Sequence, residues 1–200
     1  MSCTNSPPKW PDRMVELVTI VFGVVVAESF ARYSWCIIRP GSCLTTFLGL
    51  ILVLFIIALS WVGYHRSVEQ YPYKTGLLSV LRLFVKFIIV GAYGYLLYSL
   101  EFIVEYRSLS GYLAGFPAIF LLYIVDGGIR RLEYKDSRAS RIRVLIVFFV
   151  LFLGLSLGYQ YLVPADLKDR DVVIGLFLVF SFIMSVMYRC WRWLLYENRG

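Results

Sequence analysis

The sequence predicts an all-α fold, a polytopic six-helix transmembrane bundle, and three observations predict it. Hydrophobic residues make up 60% of the 200, charged residues only 16%, and the mean hydropathy is +0.73. Six apolar segments reach or approach the roughly 20 residues that cross a bilayer core about 30 Å thick. Basic residues outside those segments collect on one side of the chain. Soluble domains average about 45–50% apolar and about 25% charged residues, so disordered, collagenous, coiled-coil and nucleic-acid-binding classes are excluded. The net charge of +7 therefore calls for a membrane explanation. Residues 1–200 read as one integral membrane domain, because the longest soluble stretch, 127–141, is too short for a domain of its own.

The spans are expected at about 15–38, 43–64, 76–104, 109–126, 142–163 and 172–194. Arg39-Pro40-Gly41-Ser42, Tyr106-Arg107-Ser108 and the stretch from Pro164 to Arg170 make three tight connections on one side. The fourth span is read as ending at Asp126, where Gly127-Gly128 supplies a helix stop. Thirteen Lys and Arg residues fall on the side of the termini: Lys9, Arg13, Arg66, Lys74, Arg130, Arg131, Lys135, Arg138, Arg141, Arg143, Arg189, Arg192 and Arg199. Four fall on the other, Arg39, Arg107, Lys168 and Arg170. Cytoplasmic loops carry the basic excess, so a cell membrane protein with both termini cytoplasmic is expected. Lys9, Arg13 and the Val25-Val26-Ala27 stretch loosely resemble a signal peptide, but the apolar run resumes after Ala27 and Asp12 and Glu16 interrupt the basic region. Trp and Tyr mark both boundaries, as interfacial anchors do.

Four ionisable residues lie inside the apolar spans: Glu28, Arg32, Arg82 and Lys86. Such groups are rare in lipid and face a bundle interior or a water-filled path. At 1.5 Å per residue Glu28 and Lys86 lie about 18 and 15 Å deep. Glu28 and Arg32 share a helix face at i,i+4 spacing, and Arg82 and Lys86 repeat the spacing with like charges. An interhelical pairing of Glu28 with Lys86 resolves that repulsion, either as a staple between the first and third helices or as part of an ion or proton path. Glu16, Thr19 and Asp126 form a second polar set at the cytoplasmic mouth, where a solvated helix end is the simpler account of Asp126. Glu101 and Glu105 form an acidic rim on the outer side. His65, the only histidine, and Trp61 close the second span as a constriction or a structural bridge.

No metal site is expected, since one histidine and four unclustered cysteines offer no ligand spacing. Cys36 and Cys43 flank the first outer loop, where free thiols are favoured over a disulfide, and Cys3 and Cys190 are reduced in the cytoplasm. Asp166, Asp169 and Asp171 read as helix-capping acids rather than cation ligands. No phosphate loop, catalytic triad or hydrolase carboxylate pair occurs, so neither an enzyme nor a cofactor is expected. Gly111 with Gly115, Gly154 with Gly158 and Ser181 with Ser185 offer close helix approach within a protomer or between protomers. Gly91 and Gly94, on the same helix as Lys86, offer room for a cavity.

The Trp61-Val62-Gly63-Tyr64-His65-Arg66 stretch, with its Trp-Val-x-x-His-Arg pattern, resembles the small six-helix prokaryotic relatives of the lysosomal potassium channel. Val21-Phe22-Gly23-Val24 is similar to their Val-Phe-small-aliphatic run; where they carry Phe-Ser-Asp, this chain has Leu17-Val18-Thr19. The resemblance covers two helices and implies a pore-lining first helix and potassium conduction. The reading that follows is a homo-oligomeric membrane protein passing a monovalent cation or protons, with the first and third helices lining the path and lipid as its other partner. The alternative is a non-conducting interaction or signalling subunit whose basic loop, Arg130, Arg131, Lys135, Arg138, Arg141 and Arg143, meets a partner or anionic lipid at about 1 kcal/mol per basic residue.

Overall fold

The computed structural model describes residues 10–39, 44–106, 108–135, 139–168 and 170–197. Its helices are α1 (Trp10–Ile38), α2 (Leu44–Gln70), α3 (Leu77–Tyr106), α4 (Ser110–Tyr134), α5 (Ala139–Leu157), the single turn α6 (Ala165–Lys168) and α7 (Asp171–Glu197). No strand occurs among the described residues. All except α6 are long and apolar enough to cross a membrane, with mean hydropathy of 1.6 to 2.5 over their most apolar windows. The chain is a multi-pass membrane protein. Its two ends are distinguished below as the basic end, with the 71–76 and 135–138 connections, and the opposite end, with the connections after α1, α3 and α5.

α2 and α4 run furthest beyond their expected ends toward the basic end, to Gln70 and Tyr134. Gly127 and Gly128 do not stop α4. Each glycine costs about 1 kcal/mol relative to alanine in a helix, but the helix there is held by an ion pair at i,i+4 between Asp126 and Arg130. α4 ends instead at Lys135, whose φ of 52° puts it in the left-handed region. At the opposite end α5 opens into a π-helical turn, Gly158–Leu162. That turn buries Tyr159, whose hydroxyl accepts from the Leu109 amide and donates to the Lys168 carbonyl, each at 3.3 Å.

α4 is central, packed between α3 and α5, while α1, α2 and α3 pack together and α7 lies against α2 and α5. The α3–α4 approach is close because Gly111 and Gly115 face Tyr95, Ser99 and Leu96; a Cβ on Gly115 would meet the Leu96 side chain at 2.4 Å. This pair of glycines therefore packs within the protomer. Gly154, Gly158, Gly91 and Gly94 have nothing within 4 Å of an added Cβ, and Gly91 and Gly94 are not among the residues lining the polar cavity described below. Ser181 and Ser185 turn inward and donate to the carbonyls of Phe177 and Ser181. Between α4, α5 and α7 an aromatic core forms from Phe116 stacked on Phe152 at 4.9 Å, with Phe120, Phe148 and Tyr188 beside them. Ile20, Phe84, Val150 and Leu176 are among many large apolar side chains left exposed, as a lipid-facing surface requires.

Near the opposite end α1 carries a kink at Tyr33 (φ −109°, ψ 16°), whose hydroxyl donates to the Leu97 carbonyl at 2.6 Å. Cys36 is disulfide-bonded, against the expectation of a free thiol; Cys43 lies outside the described residues. Cys190 is free and exposed.

Candidate functional site

The intramembrane charges do not assemble as their spacing on separate helices suggests. Glu28 lies on an exposed face of α1 and meets neither Arg32 nor Lys86. Arg32 instead bridges to Glu101 on α3, Nε to Oε1 at 3.0 Å, on the half-exposed surface near the opposite end. The physical reason is rotational: α1 presents Met14, Val18, Phe22, Ser29 and Tyr33 to the interior, and Glu28 falls off that stripe.

Arg82 and Lys86 do turn inward, and α4 supplies the carboxylates that pair them. Lys86 Nζ donates to Asp126 Oδ2 at 2.9 Å, and an Arg130 guanidinium nitrogen lies 3.1 Å from the same oxygen. Arg130 also donates to Ser67 Oγ on α2 at 2.8 Å. Arg82 donates to Glu133 Oε2 at 3.1 Å and to the Tyr71 carbonyl at 2.8 Å, and it lies over the Tyr73 ring. Glu133 also accepts from Ser79 Oγ. Asp126 and Arg82 are 0% exposed, so Asp126 is not a solvated helix end. The i,i+4 like charges Arg82 and Lys86 are tolerated because Asp126 and Glu133, seven positions apart on α4, meet them one for one. Burial also holds the Tyr73 hydroxyl above the usual tyrosine range, so it stays protonated and donates to Tyr64 Oη at 3.5 Å.

Beyond the ion pairs a hydroxyl cluster reaches toward mid-membrane. Tyr93 Oη donates to Ser60 Oγ at 2.7 Å and lies 2.5 Å from Tyr123 Oη, which is itself bonded to Ser60 Oγ. Ion pairs and hydroxyls border one cavity of about 50 Å³, lined from every spanning helix: Phe22 of α1, Ser60 and Tyr64 of α2, Lys86 of α3, Tyr123, Asp126 and Arg130 of α4, Leu145 of α5, Tyr188 and Arg189 of α7. That volume holds a few waters, since one needs about 10–15 Å³ of such space. Asp126 Oδ1 is buried with no hydrogen-bond partner among the described residues, as is Arg82 Nε. A second cavity of about 20 Å³ shares Tyr123, Tyr188 and Arg189 with the first and continues to Ile56 and Phe116 between α2, α4 and α7. Past it, Leu50, Leu100, Tyr112 and Leu113 fill the interior.

The remaining candidates are dispersed. Glu16 is exposed on α1. Thr19 Oγ1 donates to the Val15 carbonyl and lies 3.4 Å from His65 Nε2, so His65 links α2 to α1. Trp61 packs edge-on against His65 at 4.7 Å but is itself exposed on the bundle surface, and neither ring lines the cavity. The expected basic loop is mostly helical: Arg131 near the end of α4, Lys135 just after it and Arg143 near the start of α5 are exposed, Arg130 of α4 turns into the cavity, and Arg138 and Arg141 lie outside the residues whose side chains are described. Sequence reasoning missed Glu133, Tyr64, Tyr123 and Ser60. The available signal was periodicity, since Tyr123, Asp126, Arg130 and Glu133 recur at three- and four-residue steps along one face of α4; the presumed helix stop at Gly127 hid it. No group of three metal-ligating side chains occurs among the described residues. The chain matches no protein-family model, no curated protein and no solved structure.

Proposed function

We propose that the chain is a proton-handling transport protein of the cell membrane, with the basic end and both termini in the cytoplasm. The observation that carries this reading is the buried Lys86–Asp126–Arg130 cluster beside a water-sized cavity, with Asp126 Oδ1 left without a partner. Ionisable groups inside a membrane are costly and belong to transport paths and proton relays. The contiguous hydroxyls of Tyr123, Tyr93 and Ser60 can each donate and accept, and so can pass a proton between cavity water and the midplane. Lys86 and Asp126 supply a pair whose proton occupancy decides whether the charge is matched.

A metal cation is a poor fit, because the lining carries Lys86, Arg130 and Arg189 against the single carboxylate of Asp126, and a positive cleft repels cations. α1 contributes only Phe22 to this lining, so the reading needs neither a first-helix pore nor a second copy of the chain. The polar cavity lies in the basic half, and Leu50, Leu100, Tyr112 and Leu113 are packed in the interior beyond it, which favours alternating access over an open pore. The orientation is supported by the basic excess and by the disulfide at Cys36 near the opposite end, since disulfides persist in oxidising compartments.

The test is proton flux into liposomes containing the purified protein, followed with a quenched pH dye under an imposed potential. Wild type should exceed empty liposomes, Asp126→Asn and Tyr123→Phe should lower the rate severalfold, and Glu28→Gln should match wild type. Absence of wild-type flux across a range of pH and potential overturns the reading. Conduction of potassium without protons would favour the channel reading in its place.

A further inference from the structure

We propose that the cavity beside Asp126 binds a small inorganic anion, held by Arg189, Arg130 and Lys86, and that this anion is the solute moved with protons; the second clause rests on the transport reading. Charge is the first ground. Within the buried cluster and its cavity stand four cations, Arg82, Lys86, Arg130 and Arg189, against two carboxylates, Asp126 and Glu133. Lys86 and Arg130 share one carboxylate oxygen, and no carboxylate lies within 4 Å of the Arg189 guanidinium among the described residues; the guanidinium lies over the ring of its neighbour Tyr188, at 5.3 Å. Two uncompensated positive charges within the spans are expensive, and an anion matches them where a neutral solute does not.

Donor supply is the second ground. The side chains that line the cavity or hold its ion pairs are rich in N–H and O–H groups, with Arg189 paired to no acid and Arg82 Nε unpartnered among the described residues, and charge-assisted bonds from arginine to an anion are among the strongest available. Asp126 Oδ1 is an orphaned acceptor among the described residues, and a cavity water bridging it to the anion satisfies both. Space is the third. About 50 Å³ admits a halide or a small oxyanion with its bridging waters, and the smaller cavity that Arg189 also lines continues past it toward mid-membrane.

The experiment measures thermal unfolding of the full chain in a neutral detergent, titrated with sodium chloride, nitrate or phosphate against gluconate at constant ionic strength. A saturable rise in Tm with at least one small anion is expected. Arg189→Gln should raise the half-saturating concentration about tenfold or more, Arg189→Lys should keep the response by keeping the charge, and Arg143→Gln, on the exposed face of α5, should respond as wild type. Equal shifts with every salt, an unchanged response in Arg189→Gln, or a response to phosphatidylglycerol but to no inorganic anion each overturns the proposal. Anion binding without proton flux would defeat the transport reading while leaving the site intact, and proton flux without anion binding would do the reverse.

Discussion

Asp126 is the residue on which most of the interior depends, because its Oδ2 receives both Lys86 and Arg130. Removing one partner of a buried ion pair costs about 3–5 kcal/mol in a soluble core, and less in membranes, where polar interactions average nearer about 0.6 kcal/mol. Asp126→Asn should therefore lower the unfolding temperature in detergent, while Asp126→Leu combined with Lys86→Met should be less damaging than the sum of the two single changes. Additive losses in that cycle would show that the two side chains are not coupled. Glu28→Gln, on the lipid-facing side of α1, should leave stability within about 0.5 kcal/mol of wild type.

The pairing of α3 with α4 brings the charges together, and it depends on glycine. At Gly115 a Cβ would already press on Leu96 at 2.4 Å, so Gly115→Leu should force the helices apart and lower both stability and proton flux. Gly154→Leu on α5, where nothing stands within 4 Å, should be tolerated in the same melting assay. The end of α1 is pinned by the Cys36 disulfide and by the Tyr33 hydroxyl on Leu97. Disulfides typically contribute about 2–4 kcal/mol, so Cys36→Ser should melt earlier than wild type under oxidising conditions, and the two should converge once reductant is added. Persistence of the difference in reductant would assign it to packing of the side chain instead.

Across the whole molecule, orientation is the property that ties the cavity to a compartment. With the basic end cytoplasmic, a cysteine introduced at Arg143 should be shielded from membrane-impermeant maleimide in intact cells, and one introduced at Asp166 should be labelled. The opposite pattern would reverse the bundle and place the cavity on the outer side. Six spans in one chain line a single cavity, so flux should follow one kinetic unit per protomer even if protomers associate. Mixed liposomes of wild type and Asp126→Asn chains should then show activity in simple proportion to the wild-type fraction.

Span number and the lipid-facing exterior were legible from the sequence because they depend on local quantities. Run length against bilayer thickness and the apolar fraction of each run need no knowledge of which helix meets which. The inward placement of Arg82 and Lys86 followed the expectation for deep charges, whereas Glu28, read by the same rule, lies on the exposed side of α1. What paired Arg82 and Lys86 was not legible: the expected partner was Glu28, while Asp126 read as a solvated helix end, and only the rotation of α1 and the continuation of α4 through Gly127-Gly128 decided for Asp126 and Glu133. Helix rotation and helix–helix register are set by side-chain packing over the entire contact, here by Gly111 and Gly115 against Tyr95, Leu96 and Ser99, and one glycine pair reads the same in sequence whether it is a stop or a seat. The cavity, its surplus of positive charge and the hydroxyl cluster of Ser60, Tyr93 and Tyr123 belong to the tertiary structure alone, because they join residues from helices that the sequence lists far apart and only close packing brings within hydrogen-bonding distance.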